Sequence, residues 1–414
     1  MRDINGDIIW DTNWVYNRIM TPTRRYMETH PWLTFVLDLK RLGYRTWLLL
    51  GEADSKCGHL AGAPLTPDVA AEMHTIYLSK GIHGTTSIEG NTLTETEVRQ
   101  RIEGDLPLPR SREYLGTEID AVLALCNELA AEVRDGRTPG LTVERIHEFN
   151  RRILEGQPAK DDVVPGQTRT HSVTVGINSY RGAPAEDCDF LLKKMVDWLN
   201  NLQAPENQPE LRFPLAMLKA ILAHLYIAWI HPFGDGNGRT ARLIEFQLMI
   251  EAGAPTPAAH LLSNHYNRTR EAYLVELDRT SRTDGFPVEG FILYALQGLV
   301  DELREQIGVV RAYQKEVMWQ KIVHDSYRDE DTPAKRRQRH LILDMPAGQV
   351  VSRVKLREVS ARVAGEYAGS GSKTLTRDVN ELLSRKLLLK SGASYLANRE
   401  IVDAFLPLTL GRGD

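Results

Sequence analysis

The most informative stretch of the chain is His231-Pro-Phe-Gly-Asp-Gly-Asn-Gly-Arg-Thr-Ala-Arg242. It lies between two strongly helical segments and so reads as a loop feeding a helix N-terminus. Gly236 and Gly238 let backbone N–H groups turn toward a ligand. The unpaired N–H groups of the new helix, with its dipole, make an anion site. Asn237 adds a side-chain amide donor. Arg239 and Arg242 are three residues apart and share a helical face, where both can fork onto phosphate oxygens. Asp235, an acid beside such a cradle, calls for a magnesium ion. His231 is a general base near neutral pH. The set reads as base, metal ligand, anion cradle and phosphate clamps.

The elements that must position these groups are mostly helices. Apolar residues recur at helical spacing from Glu113 to Val133, Thr142 caps the next helix, and Phe190 to Leu202 gives another. Leu215 to Trp229 is apolar nearly all round and marks a central buried helix, with His224 a buried, hydrogen-bonded histidine. Gly238 to Ile250 follows and stops at Gly253. Glu271 to Leu277 and Val288 to Val309 are further helices. Thr94-Glu-Thr-Glu97 fits a capping box that opens a helix. Thr85 and Glu89, four apart, share a helical face. His171 to Tyr180 alternates Val173 and Val175 with polar residues and turns at Gly176 and Asn178, which predicts a short β-hairpin flap over a site. The first 70 residues read as helical, with Trp10, Trp14, Trp32 and Trp47, and carry no motif.

The 414 residues suggest two or three domains at ~150 residues each. With 42% hydrophobic and 26% charged residues the chain is globular in composition, and a net charge of -4 argues against general binding to nucleic acid or anionic membrane. Cys57, Cys126 and Cys188 are too few and scattered for a disulfide framework or a structural zinc site, and His83, His147 and His260 lack metal-ligand spacing. No signal peptide or uncharged membrane span is visible, so a cytoplasmic location without membrane partners is expected. Charge shifts past residue 325: residues 335–414 hold 15 basic and 8 acidic residues, about +7 net.

The central stretch matches H-x-F-x-[DE]-G-N-G-R-x-x-R at His231, Phe233, Asp235, Gly236, Asn237, Gly238, Arg239 and Arg242, and so resembles the signature of the Fic-domain family. The resemblance implies a mainly α, Fic-type helical bundle with a β-hairpin flap, and transfer of AMP from ATP to a Ser, Thr or Tyr hydroxyl of a target protein or of the chain itself. It implies that His231 deprotonates the acceptor and that Asp235 holds Mg2+ or Mn2+. Gly234, Gly236, Asn237 and Gly238 would cradle phosphate, and Arg239 and Arg242 would hold the β- and γ-phosphates. Phe233 would anchor the loop. Thr85-Thr-Ser-Ile-Glu89-Gly90 resembles the family's inhibitory motif, in which the glutamate pairs with the second arginine, here Arg242. Val175, Gly176 and Ile177 would dock the target's backbone by strand addition. Tyr266, Asn267 and Tyr273 resemble the segment that meets adenine and ribose, although Leu274 stands where many members have a second tyrosine. A homodimer is among the implied assemblies.

The expected organisation is an N-terminal helical region at 1–112 with an inhibitory helix over about 75–91, a catalytic core at 113–310, a linker at 311–334 and a C-terminal domain at 335–414. The last resembles the winged helix-turn-helix of some Fic proteins. Helices over Lys355–Ala364 and Ser372–Ser384 precede a strand–turn–strand from Leu387 to Leu396. Ser370, Ser372, Lys373, Thr374 and Arg377 would open the recognition helix, and Arg337, Arg377, Lys386 and Lys390 would face DNA phosphates. Two other readings stay open. One is a hydrolase that removes AMP, with Glu89 activating water beside a metal and His231 protonating the leaving group. The other is a DNA-binding regulator whose core senses nucleotide.

Overall fold

The computed structural model describes residues 24–175 and 180–403. The chain divides between Gln306 and Ile307 into two compact units. Eleven helices of seven residues or more lie among the described residues up to Asp325. They are α1 Tyr44–Ala61, α2 Pro67–Ser87, α3 Glu95–Glu103, α4 Glu113–Arg134, α5 Val143–Ile153, α6 Cys188–Asn200, α7 Arg212–Ile230, α8 Asn237–Glu251, α9 Leu261–Arg268, α10 Arg270–Arg279 and α11 Glu289–Asp325, the last of which crosses the division.

In the first unit α7 is the axis. Its window over Pro209–Ile230 is apolar and long enough for a membrane span, but 83% of it is buried among neighbouring helices. It packs against α1, α6 and α8. The apolar circumference read from the sequence therefore marks a core helix. His224 is fully buried, between Glu245 and Tyr273. Thr142 caps α5 by accepting from Arg145 N–H, and Thr94 and Glu97 form the capping box that starts α3.

α2 lies against α9 because two of its glycines let the backbones approach. A Cβ built on Gly81 would overlap the His260 ring, and one on Gly84 would lie 2.5 Å from the Ser263 carbonyl oxygen. The helix ends at Ser87, earlier than expected. Gly90 takes φ 102°, and Asn91 N–H returns to the Thr86 carbonyl at 3.1 Å. Glu89 therefore sits in the closing turn and not on a helical face shared with Thr85. The helical reading of the N-terminal region also fails over His30 to Gly43, which is irregular; there Phe35 (φ 55°) donates its N–H to the Tyr226 hydroxyl. Trp10 and Trp14 lie outside the described residues.

The hairpin is present as β1 Thr174–Val175 antiparallel to β2 Tyr180–Arg181, with Val175 opposite Tyr180. Gly176 and Ile177 lie outside the described residues.

The second unit runs α12 Pro333–Asp344, β3 Val351–Ser352, α13 Ala361–Tyr367, α14 Ser372–Ser384, β4 Leu388–Ser391 and β5 Ser394–Ala397, with sheet order β3-β5-β4, all antiparallel. Its core takes in Trp319, Val323 and Tyr327, upstream of residue 335, together with Leu341, Leu356, Leu375 and Leu382. The single helix expected over Lys355–Ala364 is broken. Lys355–Glu358 is a 3-10 turn, and Ser360 starts α13 afresh by accepting from Val363 N–H. At two residues, β3 is too short to show alternation.

These contacts give a stability prediction. Gly84→Ala gains helix propensity but must push against the Ser263 backbone, and overpacking of that kind costs about 1–3 kcal/mol. Gly58 on α1 has nothing within 4 Å of a built Cβ. Gly58→Ala should therefore stabilise by about 0.5–1 kcal/mol. Urea titrations of the two variants beside the parent should move in opposite directions.

Candidate active site

α7 stops because His231 enters the left-handed region (φ 50°, ψ 58°), where a non-glycine residue is uncommon. The chain then turns through Pro232–Gly236, with Gly236 also left-handed (φ 77°), and α8 starts at Asn237. The loop closes on itself. Asn237 accepts from Phe233 N–H at 2.9 Å and donates to the Phe233 carbonyl at 2.8 Å. Its amide oxygen and one of its two amide N–H bonds are thus committed within the loop. Phe233 is 1% exposed and anchors the loop in the core. Asn150 of α5 donates to the Asp235 carbonyl at 2.8 Å.

His231 directs Nδ1 toward the Ala228 carbonyl at 3.4 Å, which leaves Nε2 as the basic nitrogen. Burial pushes its pKa down to about 4, against the raising effect of the Glu89 charge, so the ring is neutral at pH 7. Arg169 steadies this segment. It donates to the carbonyls of His231 (2.8 Å), His171 (2.6 Å) and Ala183, and so ties both ends of the hairpin to His231.

The two arginines have different partners. Arg242, 1% exposed, donates through one terminal nitrogen to the Thr85 carbonyl at 2.8 Å and to Glu89 Oε1 at 2.5 Å. Its Nε and other terminal nitrogen are buried without a hydrogen-bond partner among the described residues. Thr85 takes part through its backbone. Glu89 lies directly over the first turn of α8, since a Cβ on Gly238 would collide with Glu89 Oε1. Burial raises the Glu89 pKa, but the Arg242 guanidinium outweighs it and holds the carboxyl below its usual range. A carboxylate of the chain itself therefore sits at the N-terminus of α8. Arg239 points elsewhere, to Glu118 at 2.5 Å and Asp235 Oδ1 at 3.1 Å. Glu118 in turn accepts from Asn91 at 2.7 Å.

Asp235 also accepts from Gly236 N–H at 2.7 Å and from Lys160 at 2.6 Å. These donors outweigh burial and keep its pKa low. No group of three or more His, Cys, Asp or Glu side chains able to hold a metal occurs among the described residues. One charged carboxylate beside an anion site fits an ion such as Mg2+, which is commonly held by one or two carboxylates together with substrate phosphates. Gly234 packs under the loop from α5, its built Cβ 2.9 Å from Val163 Cγ2.

Tyr266 and Tyr273, expected near adenine, are buried. The Tyr266 hydroxyl donates to Glu245 at 2.9 Å, and the Tyr273 hydroxyl meets His224 at 2.9 Å. Both hydroxyls are committed to the core. Asn267 is half-buried. Sequence reasoning missed Asn91, Glu118, Asn150, Lys160 and Arg169. Asn91 alone had a local signal, as the neighbour of Glu89-Gly90; the others reach the loop from positions distant in the chain.

Residues 140–249 match the family model described as Fic/DOC family. The chain is 28% identical over 235 residues to the protein adenylyltransferase fic-1 of Caenorhabditis briggsae, covering 56% of this chain and 41% of that protein. It is 32% identical over 185 residues to the protein adenylyltransferase Fic of Aedes aegypti, covering 45% and 33%. The chain thus spans about two-fifths or less of the length of these curated relatives. Among solved structures, a Fic family protein from Desulfovibrio desulfuricans G20 superposes with TM-score 0.53 at 19% identity, over 86% of this chain and 96% of that one. Residues 134–508 of Fic-1 from C. elegans superpose with TM-score 0.50 at 22% identity, over 64% and 73%. Both likenesses concern the fold. The Fic/DOC family model thus matches the part of the chain, residues 140–249, that contains the His231–Arg242 loop and helix.

Proposed function

We propose that the chain transfers AMP from ATP to a hydroxyl of a protein side chain and that Glu89 holds this activity in check. The observation that carries the reading is the Glu89 carboxylate, lying over Gly238 and on Arg242, where a nucleotide phosphate would bind. His231 Nε2 takes the proton of the acceptor hydroxyl. That oxygen forms a bond to the α-phosphorus, the bond from the α-phosphorus to the bridging oxygen breaks, and pyrophosphate leaves. Asp235 would hold Mg2+ or Mn2+, which supplies charge neutralisation on the phosphates. The N–H groups at the start of α8 receive phosphate oxygens, and Arg242 meets them once Glu89 has moved.

Removing the carboxylate frees Arg242. Glu89→Gly and Glu89→Ala should both raise labelling of the protein by α-labelled ATP, on the order of 100-fold, because misplaced substrate costs about that much. If both variants bind ATP yet stay as quiet as the parent, Glu89 is not inhibitory. If they instead lose an AMP-removing activity, hydrolysis is the better reading. In the Glu89→Gly background, His231→Ala should abolish labelling and leave ATP binding largely intact.

The His231 environment sets a pH dependence. With a pKa near 4 the ring stays unprotonated down to about pH 5. For the Glu89→Gly form, kcat/KM should stay flat from pH 8 to about 5.5 and fall only below that, since this parameter reports the free enzyme. An acid limb centred near 6.5 would contradict the burial assigned to His231.

A second reading, DNA contact through the C-terminal unit, is favoured by four exposed lysines and arginines. Lys373, Arg377, Lys386 and Lys390 carry no ion pair with a described residue, whereas Arg337 is committed to Asp378 at 2.7 Å. Anisotropy with duplex DNA and the full chain should give binding that falls steeply with salt and is lost in Lys373→Glu/Arg377→Glu.

A further inference from the structure

Lys160 stands in the loop between α5 and the hairpin. Its ammonium donates to Asp235 Oδ2 at 2.6 Å, while 65% of its side-chain surface stays in solvent. The other oxygen of that carboxylate is held from within the fold, by Gly236 N–H at 2.7 Å and Arg239 at 3.1 Å. Asp235 therefore has one oxygen fixed by buried groups and one covered by a cation that solvent reaches. The loop carrying Lys160 is fastened to the same place. Gly166 N–H donates to Asn150 Oδ1 at 3.0 Å, Asn150 Nδ2 holds the Asp235 carbonyl, and Val163 packs on Gly234.

Resting on the reading of Asp235 as the ligand of a divalent cation, we propose that Lys160 is a placeholder for that cation. It neutralises and orients Asp235 Oδ2 in the metal-free protein, and it is displaced when metal and nucleotide arrive. Two cations a few ångströms apart on one carboxylate oxygen repel, so they exclude one another. The exchange is easy on the lysine side. An exposed lysine pair contributes little, and the flexible stem lets the ammonium swing into water. The carboxylate does not lose its aim when Lys160 leaves, because Arg239, with 7% of its side-chain surface exposed, keeps hold of Oδ1. Lys160 is thus a positioning residue for the metal-free state and a competitor of the metal.

The test is a Mn2+ titration of the full chain, with free Mn2+ counted by electron paramagnetic resonance, without nucleotide and with a saturating non-hydrolysable ATP analogue. Lys160→Met keeps the stem and removes the charge, and it should bind Mn2+ about two- to fivefold more tightly. Lys160→Arg restores a cation and should return the affinity to the parental value or below it. Asp235→Asn should lose the site. If Lys160→Met binds Mn2+ no more tightly than the parent while Asp235→Asn has lost binding, the placeholder role is overturned and the metal reading stands. If Asp235→Asn binds Mn2+ like the parent, both are overturned.

Discussion

A guanidinium with 1% of its surface in solvent must be answered by an anion, and Arg242 is that guanidinium. Leaving a buried charge without its partner costs about 3–5 kcal/mol. In this chain the answer comes from Glu89 and the Thr85 carbonyl, and it is incomplete, since two of the three Arg242 nitrogens lack a partner among the described residues. A group that is buried, charged and only partly satisfied favours any anion able to reach it. Gly238 supplies the access: with no side chain there, an oxygen can lie directly over the first turn of α8. Inhibition and substrate binding are in this view one competition for one cation, fought at the end of one helix.

The second arginine shows what happens when both terminal nitrogens meet carboxylates. Arg239 is shared by Glu118 and Asp235, and Glu118 is itself held by Asn91. That buried chain fixes the direction of Asp235 and has little reason to rearrange. The three-residue spacing of the arginines suggests two equal clamps on a phosphate chain. Neighbouring carboxylates divide them instead into one arginine that builds the site and one that is open to exchange.

The legible part of this protein is the part written locally. The glycines and charges of 231–242, the all-round apolar run of α7, the Thr94 and Thr142 caps and the strand pair around residues 174–181 each depend on residues within a turn or two of one another. All of them appear in the structure as elements where the sequence puts them. The partners are a different matter. Glu118 meets Arg239 across 121 positions and Lys160 meets Asp235 across 75, and neither has a local pattern to announce it. The hydroxyl contacts of Tyr266 and Tyr273 were not legible for a physical reason: a tyrosine that lines a pocket and one that closes a buried hydrogen bond to Glu245 or His224 have the same helical spacing. The same holds for the clasp of Asn237 on the Phe233 backbone, since an amide suited to phosphate is equally suited to that contact.

On the proposed function, the placement of Glu89 also sets the scale of motion that freeing Arg242 requires. Upstream, α2 is locked by Gly81 and Gly84, whose close approach to α9 leaves no room to slide without losing contact along the whole face. Downstream, Asn91 is locked by the Leu115 carbonyl at 3.1 Å and Glu118 at 2.7 Å. Between the two lies a single turn, and its left-handed Gly90 is the residue best able to change φ and ψ. A carboxylate held at its tip can leave Arg242 by a change confined to Gly90 and the Glu89 side chain, while the helix before it, the Ile88 carbonyl on Arg270 at 2.9 Å and the anchor after it stay in place. Undocking α2 would forfeit its buried face, a cost that a nucleotide's phosphates would have to meet in addition to displacing Glu89. The local route carries no such cost, so it is the route the packing favours.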